Sequence, residues 1–149
     1  MKIRIERSEE NKDEIVVICG ANVDTKRIER ALEDALRRKD VIPLKLGRTE
    51  CFVPVQDILF FETQDDRVTA HTATSMYTSS LTLRELDEVL PGNFAKAGKS
   101  CIVNASCVSA VSRNLTGPSE IEFEHTYKTA YVSRKYYKSL IEIIKETRS

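Results

Sequence analysis

The sequence is poor in the residues on which enzyme sites are usually built. It has two histidines, His71 and His125, and four cysteines, Cys19, Cys51, Cys101 and Cys107, with no CxxC pair among them. A thiol nucleophile needs a neighbouring base, and nothing in the spacing brings either histidine to a cysteine. A metal site needs three or four ligands gathered at short spacings, which Cys101-x5-Cys107 with a distant His125 does not offer. No glycine-rich phosphate loop, GxGxxG or GxSxG is present. The chain therefore reads as a non-enzyme: no catalytic residue, no metal, no cofactor and no small-molecule substrate is expected.

Glycine and proline are scarce too, five and four in 149 residues, which argues against low complexity. No apolar run approaches membrane-spanning length, and the opening MKIRIERSEENKDE lacks the apolar stretch of a signal peptide. Unpaired thiols set among small or apolar neighbours then suit a reducing cytoplasm. Formal net charge is zero, so overall charge names no partner. Its distribution is uneven. Residues 94–149 carry nine Lys and Arg against five Asp and Glu, whereas residues 1–93 carry 14 against 18. A basic C-terminal part suits an anionic partner; uneven surface charge with no function is the plainer reading.

Periodicity divides the chain at about residue 40. Ile3 and Ile5 alternate with charged residues and Ile15–Cys19 is a short apolar run, so both read as strands around a polar turn. From Asp24, an N-cap by residue type, Ile28, Ala31, Leu32, Ala35 and Leu36 recur at helical spacing. Residues 1–40 are thus expected to form a small β-β-α piece. Its closing cations Arg37, Arg38 and Lys39 read either as a complement to the helix dipole or as a nucleic-acid patch. Residues 41–149 form the second domain. Short strands are expected at 41–46, 49–53, 58–63, 67–72, 75–79, 93–97, 107–112, 120–125 and 127–132, separated by turn residues. A helix at 83–90 starts with Thr82 and Glu85 at capping-box spacing, and another runs over 134–146 after Ser133.

Four ordered blocks in this second domain carry a family resemblance. The first is Val55-x-Asp57–Ile58–Leu59–Phe60–Phe61–Glu62 followed by Arg67–Val68-x-Ala70–His71–Thr72. The second is Ser80–Leu81-x-Leu83-x-Glu85–Leu86 through Phe94. The third is Lys96-x-x-Lys99–Ser100-x-Ile102–Val103–Asn104 with Val108 and Val111, and the fourth is Val132–Ser133–Arg134-x-Tyr136. In that order they resemble the LytTR family of bacterial DNA-binding domains over residues 42–146. The resemblance implies a mainly β (α+β) fold, an elongated β-β-β sandwich of antiparallel sheets with short helices. It also implies transcription regulation through loops that enter the major groove of duplex DNA at direct repeats near a promoter.

The loops that match are 63–67, 96–100 and 133–135. Arg134, at the start of a helix, combines a guanidinium suited to guanine O6 and N7 with backbone N–H groups suited to a phosphate. Lys99 and Ser100 occupy the second loop, with Lys96 on its flank; relatives often carry His where this chain has Gly98. Arg67 marks the first loop, where some relatives have His and this chain has Asp66, able to accept from cytosine N4 or to orient Arg67. Arg113, Asn114, Lys135 and Lys138 are supporting phosphate contacts. Asn104 reads as structural, and the tyrosines near the basic end as packing residues and not base-stacking platforms.

Many relatives are response regulators with a phosphoacceptor receiver domain. One does not fit in the first 40 residues, given ~100–150 residues for a typical domain. The chain thus looks like the compact stand-alone members, which implies a small membrane protein as a restraining partner. The apolar face of the first helix either docks on the second domain or forms a homodimer. The competing function is a β-rich protein-interaction module that has lost DNA binding.

Overall fold

Apolar alternation becomes a strand where a neighbour completes the hydrogen-bond ladder, and the two parts of this chain differ in that respect. The computed structural model describes residues 2–10, 14–37 and 40–148. They fall into two compact units, Met1–Ala35 and Leu36–Ser149.

In the first unit the regular element among the described residues is α1, Thr25–Arg37. Asp24 caps it: its carboxylate accepts from the Arg27 N–H at 3.2 Å and its carbonyl from the Ile28 N–H at 3.3 Å. The strands expected around Ile3–Ile5 and Ile15–Cys19 do not form. Among the described residues no ladder partner lies beside them, and Ile3, Ile5 and Ile18 remain 83%, 87% and 94% exposed. The piece is therefore not β-β-α, because an isolated run of good strand formers gains nothing from extending alone. Arg38, Lys39 and the side chain of Arg37 lie outside the described residues, as does the middle of the polar turn.

Among its described residues the second unit has ten strands: β1 (Val41–Leu46), β2 (Thr49–Pro54), β3 (Ile58–Gln64), β4 (Arg67–Thr72), β5 (Met76–Ser79), β6 (Phe94–Gly98), β7 (Cys101–Asn104), β8 (Val108–Ser112), β9 (Ser119–Phe123) and β10 (Thr129–Val132). Between β5 and β6 lies α2 (Leu83–Val89), and α3 (Arg134–Arg148) follows β10. β7 is the strand that periodicity misses; four residues straight after a tight turn are too few to show a period. β9 also ends earlier than expected, so His125 falls in a turn with φ 62°. Seven strands pair in the order β2-β1-β5-β4-β3-β7-β6 and three in the order β10-β9-β8, every pairing antiparallel.

Successive residues of a strand point to opposite faces, so β3, β6 and β7 feed two cores. Phe61, Phe94 and Ile102 join Ile42, Leu44, Val53 and Leu86 of β1, β2 and α2. Phe60, Ala95, Ala97 and Val103 join Val108, Ile121, Phe123, Val132 and Leu140 of the three-stranded sheet and α3. A bulge between Ile58 and Phe60 shifts the β3 register. The Phe60 ring stacks on Phe123 of β9 at 5.4 Å. The central strands thus contribute to both cores, one shared with the rest of their own sheet and α2 and the other with the three-stranded sheet and α3.

Local chemistry fixes the helices. Thr82 and Glu85 form the expected capping box at α2, whose Leu86 is fully buried while Val89 is exposed. In α3 Leu140 is buried and Tyr136, Tyr137, Ile143 and Ile144 pack on the second core. Asn104 is structural, as its residue type suggested. Its amide donates to the Ile58 carbonyl at 2.9 Å, and its oxygen accepts from the Ser106 N–H at 3.0 Å and from Asn93 at 2.9 Å.

Candidate nucleic-acid interface

The antiparallel register brings distant turns to one end of the sheets. Gln64 pairs with Arg67, and Asp65 and Asp66 between them have φ of 51° and 62°. Two left-handed residues in a two-residue hairpin loop make a type I′ turn. Asp tolerates that conformation better than most side chains, which gives Asp66 a backbone reason for its place. Arg67 leaves the turn exposed.

The β6–β7 turn lies beside it. Glu62 of β3 pairs with Cys101 of β7, and the Thr63 N–H donates to the Ser100 carbonyl at 2.9 Å. Lys99 and Ser100 are exposed at its tip. Gly98 is not demanded by the backbone, for an added Cβ would meet nothing within 4 Å. Lys96 differs from the other cations: its ammonium lies 3.8 Å from Asp87 of α2.

The third turn is tied to the second, the Ser133 N–H donating to the Ala97 carbonyl at 2.8 Å. There α3 begins. Arg134 is exposed in its first turn, and the Lys135 ammonium lies 5.6 Å from the Tyr136 ring centre. Tyr136 and Tyr137 are half-buried against the second core, in keeping with packing, whereas Tyr127 and Tyr131, read the same way from sequence, are exposed and do not pack in a core.

A fourth turn joins β8 to β9. Ser119 of β9 pairs with Val132 of β10, next to Ser133. The Arg113 guanidinium sits 4.9 Å over the Tyr137 ring. Asn114 is used by the turn: its N–H donates to Ser119 Oγ at 2.9 Å and its side-chain oxygen accepts from the Thr116 N–H and hydroxyl, both at 3.1 Å. Arg67, Lys99, Ser100, Arg113, Arg134 and Lys135 are therefore gathered at one end of the domain, with Asn114 bracing the fourth turn and Lys96 turned to α2. The fourth turn is the part that the sequence signalled least, since its place beside α3 depends on the pairing of β8, β9 and β10.

The thiols and His71 lie elsewhere in function. Burial, with the Glu62 charge adding to it, pushes the Cys101 thiol up to about 12. Burial and the Glu124 and Asp57 charges push Cys107 up to about 11, against a smaller opposing effect of Arg148. Both are neutral near pH 7, the unreactive form. His71 Nε2 is 2.9 Å from Glu62, its ring stacks on Phe60 at 4.4 Å, and burial lowers its pKa. Among the described residues no group of three or more His, Cys, Asp or Glu is arranged to hold a metal ion, and no helix is long and apolar enough to cross a membrane.

Known proteins share this architecture. The family model of the LytTr DNA-binding domain matches residues 49–145. Two relatives from Staphylococcus aureus, strains bovine RF122 / ET3-1 and NCTC 8325 / PS 47, are named as uncharacterised HTH-type transcriptional regulators. Each is 31% identical over 90 residues, 60% of this chain and 60% of the relative. The chain thus spans less than two thirds of the length of these relatives. A solved LytTr DNA-binding domain from Bacillus cereus is 20% identical, with a TM-score of 0.65 over 71% of this chain and 97% of that one; at this identity the likeness is one of fold. In the matched part of this chain α2 and α3 are separated by five strands, so these two helices do not form a helix-turn-helix unit.

Proposed function

As the chain belongs to the LytTr DNA-binding domain family, we propose that it regulates transcription by binding duplex DNA sequence-specifically through the basic end of its second unit. The observation that carries this reading is the tethering of the turns. The Thr63–Ser100 and Ser133–Ala97 backbone hydrogen bonds tie together the turns that carry Arg67, Lys99 and Arg134, so the backbone needs no ordering for the three cations to meet one ligand. Arg134 and Lys99 enter the major groove and read base edges. Ser100, Arg113 and Lys135 hold the backbone, which positions without specifying. Lys96 belongs to the flank of the second loop, where Asp87 holds it, and Asn114 supports Arg113.

Two copies occupy direct repeats near a promoter in the cytoplasm, with a small membrane protein as the restraining partner. The N-terminal piece, residues 1–40, supplies the homodimer contact. None of its described residues up to Ala35 is buried, so its apolar side chains gain a core by meeting a second copy. Solution mass of the full chain and of a Leu32→Glu variant tests this: a dimer reduced to a monomer by the substitution is expected, and two equal masses would remove it.

The DNA-binding reading is tested by fluorescence anisotropy on DNA from the region upstream of the coding sequence, with scrambled DNA as competitor. The expected result is tight binding whose log affinity falls with log salt by about 0.9 per phosphate neutralised. Arg134→Ala is expected to cost about 1–3 kcal/mol and to relax discrimination at one base. Binding that scrambled DNA abolishes equally would favour the other reading, a protein-interaction module. The Asp65–Asp66 tip and Gly98 in place of a donor are the features that lean that way.

A further inference from the structure

We propose that Leu115, at the tip of the β8–β9 turn, is a specificity-determining residue that packs on the 5-methyl group of a thymine in the groove entered by Arg134. The inference rests on the DNA-binding reading above and adds a fourth turn, and an apolar contact, to it.

Position is the first argument. β8 ends at Ser112, paired with Glu120, and β9 opens at Ser119, paired with Val132. The turn of residues 113–118 therefore emerges beside Ser133 and Arg134. Arg113, at its foot, is held over Tyr137 in the second turn of α3. The turn thus belongs to the row of cation-bearing loops.

Rigidity is the second. Asn114 bonds Ser119 and Thr116 through its N–H and side-chain oxygen. A Cβ added at Gly117 would lie 3.3 Å from Asn114 Nδ2, so the loop is closely folded there. Pro118 fixes its own φ. With Asn114 and Thr116 engaged in the turn, Leu115 is left 73% exposed.

Chemistry selects the ligand. An isolated exposed leucine needs no explanation; this one stands on a braced turn among groups that suit an anionic polymer. Its side chain has nothing to offer a phosphate. The apolar feature that a duplex presents in its major groove is the thymine methyl, which side chains contact directly. Arg113 on the backbone beside it would bring Leu115 to a base edge while Arg134 reads the neighbouring one.

The test uses the full chain and the DNA site found by anisotropy, with each thymine in turn replaced by deoxyuridine. Removing the methyl from one thymine is expected to weaken wild-type binding about fourfold, the value of one buried methyl-sized group. Leu115→Ala is expected to lose a similar factor on the thymine site and to show no further loss on the deoxyuridine site. Because Leu115 is solvent-exposed, the variant should melt as the wild type does. The proposal is overturned if Leu115→Ala binds as tightly as wild type, or if every deoxyuridine substitution affects the two proteins equally. Arg134→Ala separates this from the parent reading. If wild type finds no specific site, the DNA-binding reading falls and the leucine contact with it; if Arg134→Ala binds the site unchanged, the arginine's groove and the leucine contact placed in it fall while DNA binding stands. If Arg134→Ala loses the site and Leu115→Ala does not, only the leucine contact falls.

Discussion

The two units of this chain contain equally good strand and helix patterns, and they reach opposite outcomes. In Leu36–Ser149 each apolar run found a partner: Phe61 and Ile58 are fully buried, and β3 is paired on both sides. In Met1–Ala35 the run Ile15–Val16–Val17–Ile18 is exposed throughout and unpaired. The difference teaches that pattern specifies a face and that burial needs a second surface. A 35-residue stretch cannot supply both, consistent with the difficulty of stabilising domains below about 40 residues. Its helix of 13 residues is near the length at which isolated helices are marginal in water.

The sharpest way to break the comparison is a matched pair of truncations. Phe61→Ala should destabilise the second unit by about 3–5 kcal/mol, the usual range for a buried aromatic. Ile18→Ala should change the stability of the monomer by no more than about 0.5 kcal/mol, as expected of an exposed position. Urea denaturation of both variants at low protein concentration measures it. A large loss from Ile18→Ala would mean that the run already has a partner within one chain.

A smaller effect separates two asparagines that each brace a turn. Asn104 is 1% exposed, and losing its side chain strands the Ile58 carbonyl and the Ser106 N–H. An unsatisfied buried polar group costs about 1–3 kcal/mol, so Asn104→Ala should lower the denaturation midpoint clearly. Asn114 makes a similar local turn, but in an exposed loop where water can replace it. Asn114→Ala should cost less than half as much, and equal losses would show the β8–β9 turn to be part of the folding core.

These contrasts mark what the sequence could convey. The capping box at Thr82 and Glu85, the Asp24 cap and most strands of the second unit follow from local chemistry and alternation, which is carried by neighbouring residues. β7 was hidden because Cys101–Asn104 is too short for a period and is a strand by virtue of β3 and β6 on either side of it. The absent strands of the first unit are the converse, favourable local signals with no tertiary partner. At the basic end, the identities of Arg67, Lys99 and Arg134 were readable through family blocks. Their grouping depends on contacts between elements distant in sequence, Thr63 with Ser100 and Ser133 with Ala97, and the Asp87 partner of Lys96 and the place of the 113–118 turn depend on how separate elements pack and pair.

The smallest effect concerns His71, which links two layers of the second unit by stacking on Phe60, itself stacked on Phe123. Burial disfavours the imidazolium and lowers its pKa; the Glu62 hydrogen bond and charge oppose that, and Lys128 adds to it. Nδ1 has no hydrogen-bond partner among the described residues, so a proton placed there would be a buried, unsatisfied donor. The unfolded chain takes up this proton near pH 6.5, whereas the folded chain takes it up at lower pH. Between those values the unfolded state binds more protons, and stability rises with pH. The contribution is therefore complete above about pH 6.5 and is lost as the pH falls from there toward the folded value. Urea midpoints at pH 7.5 and 5.5 should show a decline in the wild type. His71→Phe, which keeps an aromatic ring against Phe60 and cannot titrate, should flatten it. A slope that survives the substitution would assign the pH dependence to other groups and leave His71 a packing residue alone.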